Sequence, residues 1–294
     1  MQQQYTYTYN YTYPNALFCS LSSFLTPSKT PTVLIALETN DNLPHDKIGR
    51  CMETGEIVQA ELTPVVPAAE FGAATYGVGG GCISHHLDTS QAYMETFAPI
   101  NDPLLQNIQA IAPSLYTPTI SHGPRWVPTV ALGILIKLFE RRPNSSVVFA
   151  DFDWLPPPDL GSMVSTTTAN RRDSQSDYNL LAEPALGDPL VTDMDGNDHP
   201  CYLTSPPDAL CDILFPTDFG RLATFAKLAH ASVVKSNENG AKTVPISASA
   251  MKQRDFLMRY GPGEVYKTKG WSGYSPLVDD FGNCSVLAVS PRAA

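Results

Sequence analysis

From Glu38 to His45 the chain reads ETNDNLPH, which sets two carboxylates (Glu38, Asp41), two amides (Asn40, Asn42) and an imidazole (His45) within eight residues, with Pro44 among them. Carboxylates so placed can orient a bound cation, offset its charge or take up a proton. The amides and the imidazole suit the lining of a substrate or cofactor cleft, and Pro44 fixes φ in the turn that aims them. A second acidic pair, Asp151 and Asp153, comes later, in FADFDW. A plainer reading stands beside this one: Asn-Asp-Asn is ordinary turn chemistry, and these polar residues could do no more than cap a strand and the turn after it.

What precedes each group makes it a candidate site. Thr32–Leu37 (TVLIAL) is a short apolar run that stops at Glu38, the pattern of a strand buried in a parallel sheet. Ligands of open α/β sheets bind beyond the carboxyl ends of such strands. Ser145–Phe152 (SSVVFADF) repeats the pattern and delivers Asp151 and Asp153. Between the two, Val127–Arg142 reads as a helix buried on most sides. Val130, Ile134 and Leu138 form one stripe, and Leu132, Ile136 and Phe139 another. Pro128 suits its first turn and Lys137, Arg141 and Arg142 its carbonyl end. Strand, helical crossover and strand make a right-handed parallel βαβ unit. Asp102–Ala112 also has helical spacing. Further on, Asp218–His230 reads as a helix, Ala231–Lys235 as a short strand, Ser247–Tyr260 as a helix and Cys284–Val289 as the closing strand. The expected fold class is α/β, with the strands near 32–37, 146–151 and 284–289 in one sheet.

Composition narrows the function classes. A net charge of −10 argues against phosphate-backbone binding, which needs a basic surface, and no apolar run is long enough to span a membrane. The six cysteines contain no CxxC pair, and His85-His86 near Cys82 lacks a second ligand pair, so free thiols are the expectation and no metal is assigned. The sequons at Asn10, Asn144 and Asn283 carry little weight without a secretory leader. Gly77–Gly81 is glycine-rich but neither follows an apolar strand nor opens a helix, which favours a surface loop over a phosphate cradle. Asp193–Asp198 resembles part of a calcium loop but lacks the closing Glu, which favours a solvated turn. Ser, His and Asp are all present, yet no G-x-S-x-G elbow supports a hydrolase.

The residues ETNDNLPHDKI resemble the strand-end motif of MidA-like S-adenosylmethionine-dependent methyltransferases, the family of the mitochondrial complex I assembly methyltransferase, whose members carry a Glu, a short gap and then Asp-(Ala/Asn)-Leu-Pro. VVFADFDWLP, DILFPTDFGRL and MKQRDFLMRYG are similar, in the same order, to later segments of the family. The resemblance implies a class I methyltransferase-like (Rossmann-like), mostly parallel sheet, S-adenosyl-L-methionine as cofactor, and methylation of arginine in a complex I subunit within mitochondria. It further implies Glu38 and Asp41 as catalytic residues, because a guanidinium stays protonated at neutral pH and needs carboxylates to orient it. Asn40, Asn42, Pro44 and His45 would then face the cofactor, and Asp151 and Asp153 the substrate. The resemblance leaves homo-oligomerisation open.

The family's glycine-rich cofactor loop lies upstream of this motif, where this chain has the low-complexity MQQQYTYTYNYTYP leader, expected to be disordered over 1–31. That leader is no convincing presequence. The N-terminal strands are therefore expected to be missing or replaced, and cofactor binding by this chain to be weak or absent. The expected organisation is a methyltransferase-like core over 32–157, a long polar loop or insertion over 158–207, and a C-terminal part of the same domain over 208–294. A catalytically inactive homologue acting as a binding scaffold is the alternative.

Overall fold

The computed structural model describes residues 32–39, 41–64, 93–118, 124–156, 189–193, 195–199, 211–236 and 244–292. The leader, the Gly77–Gly81 run, His85-His86, Cys19, Cys82, Cys201, Asn10, Asn40 and nearly all of 158–207 lie outside them. In chain order the strands and helices are β1 (Val33–Leu37), β2 (Asp46–Arg50), β3 (Ile57–Pro64), β4 (Tyr93–Pro99), α1 (Pro103–Ile111), β5 (Arg125–Val127), α2 (Thr129–Arg141), β6 (Ser146–Phe152), β7 (Leu190–Asp193), β8 (Asp198–His199), β9 (Cys211–Leu214), α3 (Phe219–Ser236), β10 (Ile246–Lys252), α4 (Gln253–Tyr260), α5 (Pro262–Lys267), α6 (Pro276–Asp279) and β11 (Cys284–Pro291).

The central sheet has the order β1-β6-β11-β10. β1 and β6 pair in parallel, from Val33 opposite Ser146 to Leu37 opposite Ala150. β11 runs antiparallel to both β6 and β10. Three of the four strands therefore point one way, and β11 is the reversed member. The α/β class holds, and the three expected strands share this sheet. Among the described residues there are two further, antiparallel sheets, the four-stranded β4-β3-β2-β5 and the three-stranded β8-β7-β9. The first joins β2, β3 and β4 to β5, which leads into α2.

α2 and α3 cover one face of the central sheet. Leu132, Leu135, Ile136 and Phe139 of α2 and Leu222, Phe225, Ala226 and Ala229 of α3 bury against Val147, Phe149, Ala248 and Leu287. Burying a side chain of this size contributes about 1.5–3 kcal/mol, so these two helices fix the sheet. α1 starts at its cap, Asp102, whose carboxylate accepts from Leu105 N at 2.8 Å. It crosses α2 at Gly133, where a Cβ would meet Leu104 at 2.8 Å. Leu34 and Ala36 of β1 pack on this core, whereas Val33, Ile35 and Leu37 stand on the opposite face, about 60% exposed.

Two sequence expectations are corrected. Ala231–Lys235 is not a strand, because α3 continues through it: Phe225, Ala229 and Val233 keep one buried stripe at helical spacing. The expected helix over 247–260 is half strand. ISASAMK alternates, with Ile246 and Ala248 buried, and pairs with β11 along its whole length, so β10 ends at Lys252 before α4 begins.

Candidate functional site

The carboxyl ends of the parallel strands β1 and β6 lie side by side, and two hydrogen-bonded clusters grow from them. The first is built on Asp151. This carboxylate is buried, and its Oδ2 accepts the backbone N–H groups of Thr39 at 3.1 Å and Asp41 at 3.0 Å. Its Oδ1 accepts from Phe152 N at 2.7 Å. Glu38 N donates to Ala150 O at 2.8 Å, the last rung of the β1–β6 ladder. The chain then turns sharply, with Glu38 at φ +48°, a left-handed conformation that is uncommon outside glycine and asparagine. Glu38 ends exposed, and Asp41 is buried beside Asp151.

Asp41 has the most consequential environment in this cluster. Burial, and then the neighbouring Asp151 charge, push its carboxyl up to about 6, against the pull of hydrogen bonds from Asn42. One of those bonds runs from Asn42 Nδ2 to Asp41 Oδ1 at 3.1 Å. Asp41 O accepts from Phe215 N at 3.0 Å, and Phe152 O accepts from Thr217 N at 2.9 Å, so the segment between β9 and α3 ties to both strand ends.

His45 packs into the same wall. Its ring stacks on Phe215 with centroids 4.0 Å apart and planes 10° apart, and its Nδ1 lies 2.7 Å from Leu43 O. Phe215 in turn meets Trp126 edge to face at 5.0 Å. Burial holds the imidazole neutral, with its pKa lowered to about 4. His45 thus fixes the wall behind the turn. Pro44 is exposed, Asn42 is half-buried, and Asn40 lies outside the described residues.

The second cluster is built on Asp153. Its N–H donates to Asn283 O at 2.8 Å, and its Oδ2 accepts from Ser285 Oγ and Lys252 Nζ. Its Oδ1 is buried and has no hydrogen-bond partner among the described residues. Asn283 Nδ2 holds Trp154 O at 3.1 Å, and the Trp154 indole is 55% exposed at the rim. Between the clusters lies Cys284. Burial, followed by Asp151, Asp153 and Glu38, raises its thiol to about 11, which removes it as a nucleophile at neutral pH. Cys211 and Cys284 are free thiols, and no metal-ligand cluster occurs among the described residues.

The structure therefore brings Glu38, Asp41, Asp151 and Asp153 to one end of the central sheet. Sequence reasoning missed Lys252, Ser285, Asn283 and Phe215. Lys252 lies inside the expected helix, and the others meet the site through long-range contacts that no local pattern announces.

No family model and no curated protein matches the chain. Among solved structures, the chain is similar to a superfamily member from Burkholderia thailandensis inferred to be a methyl transferase, bound to S-adenosylhomocysteine. The identity is 13% and the TM-score 0.47, over 92% of this chain and 56% of that one. It is also similar to an uncharacterised protein of the same superfamily and organism, at 13% identity and a TM-score of 0.49, over 91% of this chain and 58% of that one. The chain thus spans little more than half the length of each.

Proposed function

We propose that this protein is an S-adenosylmethionine-dependent methyltransferase acting on arginine in a protein substrate, with a mitochondrial complex I subunit as the target the family resemblance implies. The observation that carries this reading is the Asp151 lock. A buried carboxylate holds two backbone N–H groups of the strand-end turn and so presents Glu38 and Asp41 together at the carboxyl end of a parallel strand pair. That is where open α/β sheets bind their ligands.

In this reading S-adenosylmethionine supplies an electrophilic methyl group, and the residues of this chain prepare the acceptor. Glu38, exposed at the rim, takes one edge of the guanidinium by paired hydrogen bonds. Asp41 is largely ionised at pH 7.5 but more basic than an ordinary aspartate, so its Oδ2 is the atom that receives the proton the guanidinium loses on methylation. Asp153 and Trp154 form the opposite wall: the orphaned Oδ1 of Asp153 offers an acceptor, and the exposed indole a flat face for a cation. Asn42, Pro44 and His45, with Asn40, would line the cofactor side. The described residues fit one wall of a cofactor cleft, and no glycine-rich turn after a parallel strand occurs among them.

The test is transfer of labelled methyl from S-adenosylmethionine to complex I subunits, read by mass spectrometry at arginine. Methylarginine that disappears with Asp41→Asn supports the reading. No transfer to any protein arginine, by this chain or by a longer form carrying a glycine-rich cofactor loop, ends it and leaves a binding scaffold as the surviving alternative.

A further inference from the structure

We propose that Phe215-Pro216-Thr217, between β9 and α3, is a positioning strap for this site, and that Phe215 is the positioning residue that keeps the Asp41 carboxyl in its working place. The reaction it serves rests on the methyltransferase reading; the strap itself rests on contacts alone.

Asp41 is held on both sides of its backbone. Its N–H donates to Asp151 Oδ2 and its carbonyl accepts from Phe215 N, each at 3.0 Å. Two residues on, Thr217 N donates to Phe152 O at 2.9 Å. N–H groups two residues apart point to the same side of an extended segment, so one strap ties the β1 turn to the end of β6. Pro216 sits between them, where an N–H would point away from both strand ends. Its missing donor costs nothing there, and its ring fixes φ. Both ends of the strap are anchored. Leu214 pairs with Leu190, and Asp218 Oδ1 accepts from Arg221 N at 2.9 Å at the start of α3, whose Phe219 and Leu222 enter the main core.

The Phe215 ring is the lateral anchor. It is buried with Trp126 and Val191, flat on His45 and edge-on to Trp126. His45 immediately precedes β2 and Trp126 belongs to β5, two strands that pair with Lys47 opposite Trp126. The ring therefore fastens the strap to the four-stranded sheet. Any residue at 215 other than proline would supply the backbone bond; the side chain is what holds that bond in place. Without the ring the strap loosens, and water reaches Asp41, which is 1% exposed.

The charged neighbour of Asp41 is Asp151 on β6. Glu38 lies on its own turn, burial holds His45 neutral, and the strap from 215 to 217 has no titratable side chain. Hydration is thus the variable the strap controls. Burial is the main cause that raises the Asp41 carboxyl to about 6, so a loosened strap lets it fall towards 3.8 and makes it a weaker proton acceptor.

The test is NMR titration of the 294-residue chain with isotopically labelled aspartate carboxyls, the Asp41 signal being the one lost in Asp41→Asn, alongside methyl transfer measured against pH. Phe215→Ala, and Phe215→Leu, which fills much of the space but cannot stack, are expected to lower the Asp41 midpoint from about 6 towards 3.8. Both should extend the acid limb of transfer to lower pH and cut kcat about tenfold above it, with KM unchanged. Phe215→Tyr, which keeps the ring, should behave as the wild type. If Phe215→Ala fails to fold by circular dichroism, Phe215→Leu decides. A midpoint that stays at about 6 in folded Phe215→Leu overturns the proposal, and so does a lowered midpoint with kcat and the acid limb unchanged. A lowered midpoint in a protein that methylates no arginine upholds the strap's hold on Asp41 and counts against the methyltransferase reading instead.

Discussion

On the β1 side of β6, Asp151 accepts backbone N–H groups; on the β11 side, Asp153 two residues later accepts side chains. The first arrangement fixes where the main chain goes, because the Thr39 and Asp41 amides have no ladder partner once β1 has ended. The second adjusts a surface that β11 and β10 already hold in register through their own pairing. Two aspartates on one strand end thus differ in kind: one is a structural element of the turn, the other a polar contact at its mouth. Asp151→Ala should therefore be the most damaging change, leaving buried amides without an acceptor. Urea unfolding followed by circular dichroism should show a loss of about 3 kcal/mol. Asp151→Asn, which keeps an acceptor, should lose roughly half of that. Equal losses for both variants would mean that the amides find other partners.

This contrast explains how much of the site was legible in the sequence. Glu38 and Asp41 could be found because an apolar run ends at them, and a strand's end is a local pattern. Asp151 was found by the same rule, but its hold on the turn depends on parallel pairing with β1, more than a hundred residues away. Lys252 and Ser285 were invisible for a related reason. ISASAMK alternates with period two, yet the following QRDFLMRY carries a helical pattern strong enough to draw the boundary to the wrong side of Lys252. The parallel unit β1-α2-β6 was readable from burial alone; the reversed insertion of β11 between β6 and β10 was not, since strand direction leaves no mark on composition.

A comparably large effect should appear within the Asp151 cluster, through pH. Asp41 rises from an ordinary 3.8 to about 6 in the folded protein, so the unfolded chain loses its proton first. Stability from this group falls as pH rises from about 4 to 6, on the order of 3 kcal/mol. His45 drops from 6.5 to about 4, so the unfolded chain gains a proton first as pH falls, and stability from this group rises with pH over nearly the same window by a similar amount. The two nearly cancel. Asp41→Asn should expose the His45 limb, with melting temperature climbing from pH 4 to 6.5. His45→Phe, which keeps the stack on Phe215, should expose the opposite slope. Parallel slopes in the two variants would show that one of the burial assignments is wrong.

The Asp153 side should respond more weakly. Lys252 is half-exposed, and solvent screens its pairing with Asp153. Lys252→Met should change unfolding free energy by less than about 1 kcal/mol, and the change should shrink further in high salt. A loss matching that of Asp151→Ala would erase the distinction between the two aspartates and make Asp153 equally structural.

The smallest expected effect separates stability from function most cleanly. Glu38 leaves β1 at φ +48°, a conformation that strains a side chain with a Cβ and costs glycine almost nothing. Its side chain is exposed, and among the described residues its tie is from its backbone N–H to Ala150 O, so replacing it removes no buried contact there. Glu38→Gly should therefore leave the fold as stable as before or raise it by up to about 1 kcal/mol, the flexibility gained by the unfolded chain offsetting part of the relieved strain. A residue that merely capped β1 would have no reason to resist that exchange. If Glu38 takes the substrate guanidinium, the same variant should lose methyl transfer while its melting temperature holds or climbs, and Glu38→Gln should lose transfer at unchanged stability. Full activity in the glycine variant would return the ETNDN turn to simple strand capping and leave Asp41 alone to carry the site.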